Sequence, residues 1–168
     1  LIPSSTITNI YSFELNDTLK VDSTYIKLMQ EMIVERIILI GNTKTKDEVI
    51  LREMMLKEGG KFNLEYLDND VKRLYNLGLF NRVDVIPAPL SSTRINLVFE
   101  FEEGFYFLPI PQGDFKEGSL KKIWGGLNFM WKNFRGMNET VNLSFGVGYE
   151  PFISASYLNP WIFGKSHY

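Results

Sequence analysis

The sequence predicts an α+β domain (β-α-α-β-β) followed by antiparallel β-strands of an incomplete transmembrane β-barrel, and three observations support this. Two amphipathic helical segments lie between short β-branched segments within residues 32–103. Beyond Lys122 the helical period gives way to strict alternation of apolar and polar residues. All three tryptophans, Trp124, Trp131 and Trp161, fall in the alternating part. The two halves of the chain are therefore expected to face different solvents.

The elements of the first half follow from local signals. Residues 34–40 (VERIILI) form a β-branched run that Gly41 and Asn42 close as a turn, which predicts a buried strand. A first helix is expected to end at residues 59–60, two consecutive glycines. Asn63 is expected to cap a second helix, which Gly78 stops. The apolar face of this second helix comprises Leu64, Leu67, Val71, Leu74, Tyr75 and Leu77.

Two further short strands are predicted, at residues 82–86 and 94–102, where apolar and polar residues alternate. Two amphipathic helices need a surface on which to bury their apolar faces, and a three-stranded sheet with one apolar face provides it. Residues 32–103 should therefore form one two-layer α+β domain, with Phe80 filling the space between helices and sheet. Residues 1–31 are weakly patterned and are interpreted as a linker or the tail of a preceding domain.

Residues 104–122 are interpreted as an extended connector, because Pro109 and Pro111 each remove a ladder donor and exclude a central strand. Residues 123–168 are interpreted as the first three to four strands of an outer-membrane barrel, with a fourth strand beginning at Lys165. Alternation predicts a lipid-facing set consisting of Leu127, Phe129, Trp131, Val141, Leu143, Phe145, Val147 and Tyr149. A soluble sandwich also has alternating strands, and this alternative stays open.

Composition excludes several function classes. A net charge of −2 gives no overall attraction to nucleic acid. Cysteine is absent, which excludes disulfides, thiolate metal sites and cysteine nucleophiles, and a zinc site or histidine catalysis would rest on the sole histidine, His167, next to the C-terminus. We expect no metal, no other cofactor and no enzyme activity. Glu100 and Glu102 resemble a carboxylate pair, but they share the solvated face of an alternating strand. No apolar run reaches the roughly 20 residues of a membrane-spanning helix.

Specific motifs resemble a known family. IGNTKT at 40–45 together with RLYNLGLF at 73–80 resembles the POTRA (polypeptide-transport-associated) domain of BamA- and TamA-type outer-membrane assembly proteins. YFLPIP at 106–111, NFRG at 133–136 and YLNPWIFG at 157–164 are similar to the start of the surface-antigen barrel of that family. The later strands of that barrel and its VRGF-type loop are not found in this chain. In the matching POTRA segment, the scaffold residues are Gly41, Asn42, Leu74, Tyr75, Gly78 and Phe80.

The resemblance implies assembly and insertion of outer-membrane proteins, with the POTRA domain in the periplasm and the strands in the bacterial outer membrane. POTRA domains of the family accept extended segments by strand addition to a sheet edge. We assign that client-binding edge to Arg82, Val83, Asp84, Val85 and Ile86. Residues 95–101 should then be the central strand, with residues 37–40 on its far side.

The expected partners are unfolded outer-membrane protein clients, outer-membrane lipid and periplasmic accessory lipoproteins, with no nucleic acid. Two other functions stay open: secretion of a dedicated client through the barrel, as in two-partner systems, and a structural anchor for periplasmic partners. Three or four strands cannot close a barrel. Either this chain is the N-terminal portion of a longer polypeptide, or several copies pool their strands.

Overall fold

The computed structural model describes residues 29–118, 120–162 and 165–166. The predicted linker therefore lies almost wholly outside the described residues, as does His167. The chain divides into two compact units. The α+β unit comprises the described residues up to Thr43 together with Ile50–Glu103, and the sheet unit comprises Lys44–Val49 together with the described residues from Gly104 onward.

The α+β unit has the predicted element order. The elements in chain order are β1 (Ile33–Ile40), α1 (Asp47–Glu53), α2 (Leu64–Asn76), β2 (Phe80–Pro89) and β3 (Arg94–Glu103). The short helix α1 begins in the sheet unit and ends in the α+β unit. The sheet order is β1-β3-β2, with β1 parallel and β2 antiparallel to β3. The expectation of a central third strand with β1 and β2 at the edges is thus confirmed. β2 is longer than predicted and includes Pro87 and Pro89, which were expected to follow the strand.

The core of this unit lies on one face of the sheet. Ile95, Leu97 and Phe99 of the central strand are fully buried, and they alternate with half-buried residues. Phe80 is buried as predicted and packs its ring 4.6 Å from that of Phe101. The other buried apolar residues around them include Val34, Ile50, Met54, Leu56, Phe62, Leu67, Leu74, Leu79, Val83 and Val85.

Helix α2 begins and ends where the sequence predicts. The Asn63 side chain accepts a hydrogen bond from the Tyr66 N–H at 3.1 Å, as an N-cap does. Gly78 follows the last helical turn with a φ of +65°, a left-handed conformation that glycine adopts without strain. Tyr75 was placed on the apolar face, and this is wrong: it is 58% exposed. It lies one residue beyond Leu74, so a 100° rotation about the helix axis carries it out of the core.

Gly41 is required at the end of β1 for two reasons. Its φ is +91°, and a Cβ there would lie 2.1 Å from the carbonyl oxygen of Phe101. The turn therefore approaches β3 more closely than any side chain allows. Asn42, the next predicted scaffold residue, is half-buried in this turn.

The sheet unit contains four long antiparallel strands in the order β4-β5-β6-β7. They are β4 (Phe107–Phe115), β5 (Ile123–Phe134), β6 (Glu139–Gly148) and β7 (Phe152–Leu158), with two 3₁₀ turns, Lys116–Gly118 and Leu120–Lys122, between β4 and β5. A separate two-residue pair joins β8 (Trp161–Ile162) to β9 (Lys165–Ser166). The described part of the predicted fourth strand, Lys165–Ser166, pairs with β8.

The predicted connector is wrong in its central part, because β4 pairs with β5 along all its nine residues. The Lys132 N–H donates to the Tyr106 carbonyl at 2.7 Å, which makes residues 106 and 132 a hydrogen-bonded pair. Counting along the ladder, Pro109 and Pro111 then occupy non-hydrogen-bonded positions, where the backbone nitrogen faces away from β5. An edge strand tolerates proline there, so the sequence argument excluded only a central position.

None of the helices in the described part of the chain is long and apolar enough to cross a membrane. Within the same residues, no group of three or more histidine, cysteine or acidic side chains is placed to hold a metal ion.

Candidate functional site

The outer edge of β2 offers a short row of backbone donors. The Leu90 N–H donates to the Arg94 carbonyl at 2.9 Å, which fixes the phase of the β2–β3 ladder. Residues 82, 84, 86 and 88 therefore bond to β3, whereas residues 83, 85, 87 and 89 direct their backbone nitrogens to the free edge. Because 87 and 89 are prolines, the outward N–H groups of this stretch are those of Val83 and Val85.

The side chains of the predicted edge residues divide between the two faces of the sheet. Val83 and Val85 are buried on the core side. Arg82, Asp84 and Ile86 lie on the open side, where the Arg82 guanidinium is 2.7 Å from the Asp84 carboxylate. The edge therefore presents backbone groups flanked by an ion pair that water screens.

The sheet unit presents one continuous apolar face, because directly paired residues of antiparallel strands share a face. One row across the strands joins Pro111, Leu127, Phe145 and Ile153, and the next joins Pro109, Phe129, Leu143 and Ala155. The third row is Phe107, Trp131, Val141 and Tyr157. Several of these side chains are largely exposed, Ile153 at 89% and Leu143 at 53%.

The opposite face carries small and polar side chains on β6, together with the apolar side chains of Leu108, Ile110 and Met130 from β4 and β5. The Ser144 hydroxyl donates to the Asn128 amide oxygen at 2.9 Å, and the Asn142 amide lies 3.2 Å from the Ser156 hydroxyl. It also carries an aromatic pair that sequence reasoning missed, since Trp124 meets the ring of Phe152 edge-on at 5.4 Å.

Gly146 makes room for that pair. A Cβ at Gly146 would lie 2.4 Å from the Phe152 ring, so the ring lies directly against the glycine backbone. Gly146 is therefore needed because any side chain there would displace the Phe152 ring.

A buried polar network closes the β5–β6 end of the sheet. Asn133 is 1% exposed, and its amide donates to the Thr45 hydroxyl at 2.8 Å, which lies 3.2 Å from the Tyr106 hydroxyl. The amide oxygen of Asn133 accepts from the Asn138 N–H at 2.9 Å. Asn133 has a φ of +49° and lies in a β-bulge, where the β5–β6 register shifts. The bulge directs the Asn133 side chain toward Thr45.

Further contacts hold the Lys44–Val49 segment at the same end of the sheet. The Lys46 N–H donates to the Gly136 carbonyl at 3.0 Å. The Lys44 ammonium lies 4.9 Å from the Tyr106 ring centre and 5.4 Å from that of Trp131, within cation–π range.

The turn between β5 and β6 is fastened by a second cluster. Arg135 makes two hydrogen bonds to the Glu139 carboxylate, at 2.8 and 3.0 Å, and Tyr157 donates to the same carboxylate at 2.7 Å. Glu139 is 3% exposed, so the bidentate guanidinium provides the partner that a buried carboxylate needs.

Comparison with known proteins identifies the first part of the chain. Residues 32–104 match the POTRA family model, described as "Surface antigen variable number repeat". They have the β-α-α-β-β order and the edge strand described above. Residues 32–104 belong to the POTRA family.

Relatives extend the likeness beyond the POTRA domain. A BamA outer membrane protein assembly factor of Neorickettsia risticii (strain Illinois) is 37% identical over 127 residues, 73% of this chain and 16% of that protein. BamA of Nitratidesulfovibrio vulgaris (strain Hildenborough) is 36% identical over 70 residues, 41% of this chain and 9% of that protein. The predicted resemblance to outer-membrane assembly proteins is confirmed. The predicted location, the outer membrane with a periplasmic POTRA domain, agrees with these relatives.

A solved structure supports the fold of both parts. BamA from Haemophilus ducreyi lacking POTRA domains 1–3 is similar with a TM-score of 0.66 and 18% identity, covering 80% of this chain and 26% of that one. The POTRA fold followed by antiparallel strands is thus shared. This chain spans about a sixth of the length of the Neorickettsia relative.

Sequence reasoning missed Asp70 of the POTRA domain. This carboxylate on α2 is fully buried and accepts hydrogen bonds from the N–H groups of Met55 and Leu56, at 2.6 and 3.0 Å. Burial raises the pKa of Asp70 above its ordinary value of 3.8, because desolvation outweighs the two backbone hydrogen bonds. The sequence did contain a signal for a buried carboxylate, because Asp70 lies three positions after Leu67, on the core-facing side of α2.

Proposed function

We propose that this chain is part of a machine that assembles outer-membrane proteins, in which the POTRA domain binds unfolded clients by strand addition at β2. In this proposal β4 to β7 form the first strands of the barrel wall. The observation that carries it is the combination of a POTRA domain having an open backbone edge with a four-stranded sheet having one exposed apolar face. The chain then acts by binding and not by catalysis.

The dimensions of the apolar face support a membrane position. Aromatic residues lie near both ends of the face, Phe107 and Trp131 at one and Phe115 and Tyr149 at the other. From Phe107 to Phe115 is eight residues, about 27 Å of extended strand. At the usual tilt of about 40° this becomes about 20 Å, close to the roughly 25 Å apolar band of outer-membrane barrels with its aromatic girdles.

The orientation follows from the connection between the two parts. The chain leaves the POTRA match at residue 104 and begins β4 at Phe107, in the row of Trp131 and Tyr157. A periplasmic POTRA domain therefore requires this end of the sheet to face the periplasm. The four-residue turn between β5 and β6 lies at the same end, in line with the short periplasmic turns of such barrels.

Client binding at β2 would rely on backbone hydrogen bonds. The outward N–H groups of Val83 and Val85, with their carbonyls, pair with any extended segment and do not select side chains. Pro87 and Pro89 limit the added ladder at the hairpin end. Such an edge suits many clients that share extended amphipathic strands. Periplasmic accessory lipoproteins are a second class of partner in this proposal.

Replacing Val85 with proline tests the client-binding edge. The change removes an outward donor that β3 does not use, so the fold should persist while binding of client strands is lost. Val85→Ala is the matched control, because it trims the same buried side chain and keeps the N–H. Equal binding of an outer-membrane strand peptide by both variants, measured by fluorescence anisotropy, would contradict client binding at β2.

Peptide arrays distinguish general assembly from secretion of one dedicated client. A backbone-driven edge predicts comparable binding to strands from many unrelated outer-membrane proteins. Tight binding to a single sequence among hundreds would favour the secretion function instead.

A further inference from the structure

The sheet of the POTRA domain has a second edge, along β1, and its backbone groups are largely occupied. The segment after α1 returns beside the start of β1, where the Val34 N–H donates to the Gly60 carbonyl at 2.9 Å and its carbonyl accepts from the Gly59 N–H at 2.7 Å. The Phe62 N–H donates to the Met32 carbonyl at 2.8 Å. This return covers the first part of the β1 edge.

The next outward donor of β1 is occupied by a side chain. The Ile37 N–H donates to a Glu58 carboxylate oxygen at 2.9 Å, across 21 residues of sequence. Because backbone groups alternate between the two sides of a strand, Leu39 is the next outward residue, and β1 ends at Ile40. The open stretch of this edge thus has one of its two amides bonded to a carboxylate.

The β2 edge is open by comparison. Within the described residues, neither the Val83 N–H nor the Val85 N–H donates to another segment, and prolines end the row. Charged and inward-turned groups at strand edges are a common means of preventing unwanted pairing. An ionised carboxylate already bonded to an edge amide repels the carbonyl that an incoming strand would bring there.

We infer that Glu58 prevents strand addition at β1 and so confines client binding to β2, which gives the domain a single edge for client strands. This inference rests on the proposed function and adds a specificity-determining residue to it. The occupant that Glu58 excludes is an extended amphipathic strand of an outer-membrane protein.

The two edges can be compared at matched positions. Ile38 of β1 and Ile86 of β2 both pair with Val98 of the central strand, from opposite sides. They are 37% and 38% exposed. A photo-crosslinking amino acid at either position therefore samples strand addition at its own edge with nearly equal accessibility.

The experiment uses the full 168-residue chain in detergent micelles with a peptide of residues 140–148 (TVNLSFGVG) as the strand probe. With Glu58 intact, the peptide should crosslink at position 86 and only weakly at position 38. Glu58→Ala should raise the crosslink at position 38 by about fivefold, the effect of freeing one hydrogen-bonding group. Glu58→Gln keeps an acceptor oxygen for Ile37, and its crosslink at position 38 should rise less than that of the alanine variant.

Amide hydrogen exchange gives a readout that does not depend on the peptide. Exchange at Ile37 should become about tenfold faster in Glu58→Ala, while Gln should largely retain the protection. Exchange at Ile86, whose N–H bonds to β3, should be the same in all three chains, which verifies that the sheet stays folded.

The outcomes separate the inference from the proposed function. Equal crosslinking at position 38 in the original chain and in Glu58→Ala overturns the role of Glu58, while a crosslink at position 86 still supports client binding at β2. Absence of crosslinks at both positions in every variant refutes strand addition altogether, and the inference with it.

Discussion

Asp70 offers the most direct test of how the POTRA domain is held together. Replacing it with asparagine keeps the size of the side chain and one acceptor oxygen, but it presents an NH₂ group to one of the two N–H groups of Met55 and Leu56. A buried donor left without an acceptor costs about 1–3 kcal/mol. We expect Asp70→Asn to lower the free energy of unfolding by that amount and Asp70→Ala to lower it further, since both donors then lose their acceptor.

The pH dependence of the same variant tests the raised pKa. Between 3.8 and the raised folded pKa of Asp70, the folded state holds a proton that the unfolded state has released. The contribution of Asp70 to stability therefore falls as the pH rises through that window and stays low above it. Asparagine does not titrate, so the gap in stability between the original domain and Asp70→Asn should narrow as the pH rises.

Urea denaturation of a fragment from residue 29 to 104, followed by circular dichroism between pH 3 and 7, measures both effects. We expect this fragment to be soluble and to unfold in one cooperative transition. A gap that widens with rising pH would show that the ionised carboxylate is the favoured folded form, and the argument from desolvation would be refuted. If Asp70→Asn changes the free energy of unfolding by less than about 0.5 kcal/mol at every pH in this range, the contacts of Asp70 do not stabilise the domain.

Three other substitutions test the core, the bulge and the membrane face. Phe80→Ala should cost about 3–5 kcal/mol in urea denaturation of that fragment, as expected for a buried phenylalanine, and a loss under about 1 kcal/mol would contradict its core position. Asn133→Gly should destabilise the full chain in detergent less than Asn133→Ala by thermal denaturation, because glycine accepts the left-handed backbone while both lose the amide; equal losses would mean that the backbone conformation there carries no strain. Phe145→Arg should reduce stability in lipid vesicles by roughly 2–4 kcal/mol and Ser144→Arg by much less, whereas equal penalties would indicate a soluble two-sided core.

The sequence was sufficient for the topology of the POTRA domain because local signals and connectivity act together there. The cap at Asn63, the stop at Gly78 and the hairpin of β2 and β3 are all signalled within a few residues. Two helices between β1 and that hairpin then leave few arrangements of a three-stranded sheet. The alternation of β5 and β6 likewise predicted which residues share the apolar face.

The interactions that sequence reasoning missed join residues that are far apart or break a local rule. Thr45 and Asn133 are 88 residues apart, and nothing in either local pattern signals the partner. Asp70 interrupts an apolar stripe, and its role depends on a loop fifteen residues earlier. β4 was missed because the two donors lost at Pro109 and Pro111 were taken to indicate a connector, whereas an edge strand tolerates proline where the backbone nitrogen faces away from its partner.

The outward prolines have different consequences in the two halves of the chain, because the surroundings of the two edges differ. Beside Pro87 and Pro89, water can bond to the carbonyls of an added strand that find no donor, so the missing N–H groups merely shorten a docking site. If β4 lies in the bilayer as proposed, no solvent replaces the donors missing at Pro109 and Pro111, and each unmatched carbonyl of a neighbouring strand costs several kcal/mol. Two adjacent outward positions of this edge therefore lack a donor, whereas the Gly113 N–H remains available and the Phe115 N–H already donates to the Asp114 carboxylate. In the proposed orientation, a strand added to β4 would therefore be held least firmly beside these two prolines, in the periplasmic half of the wall.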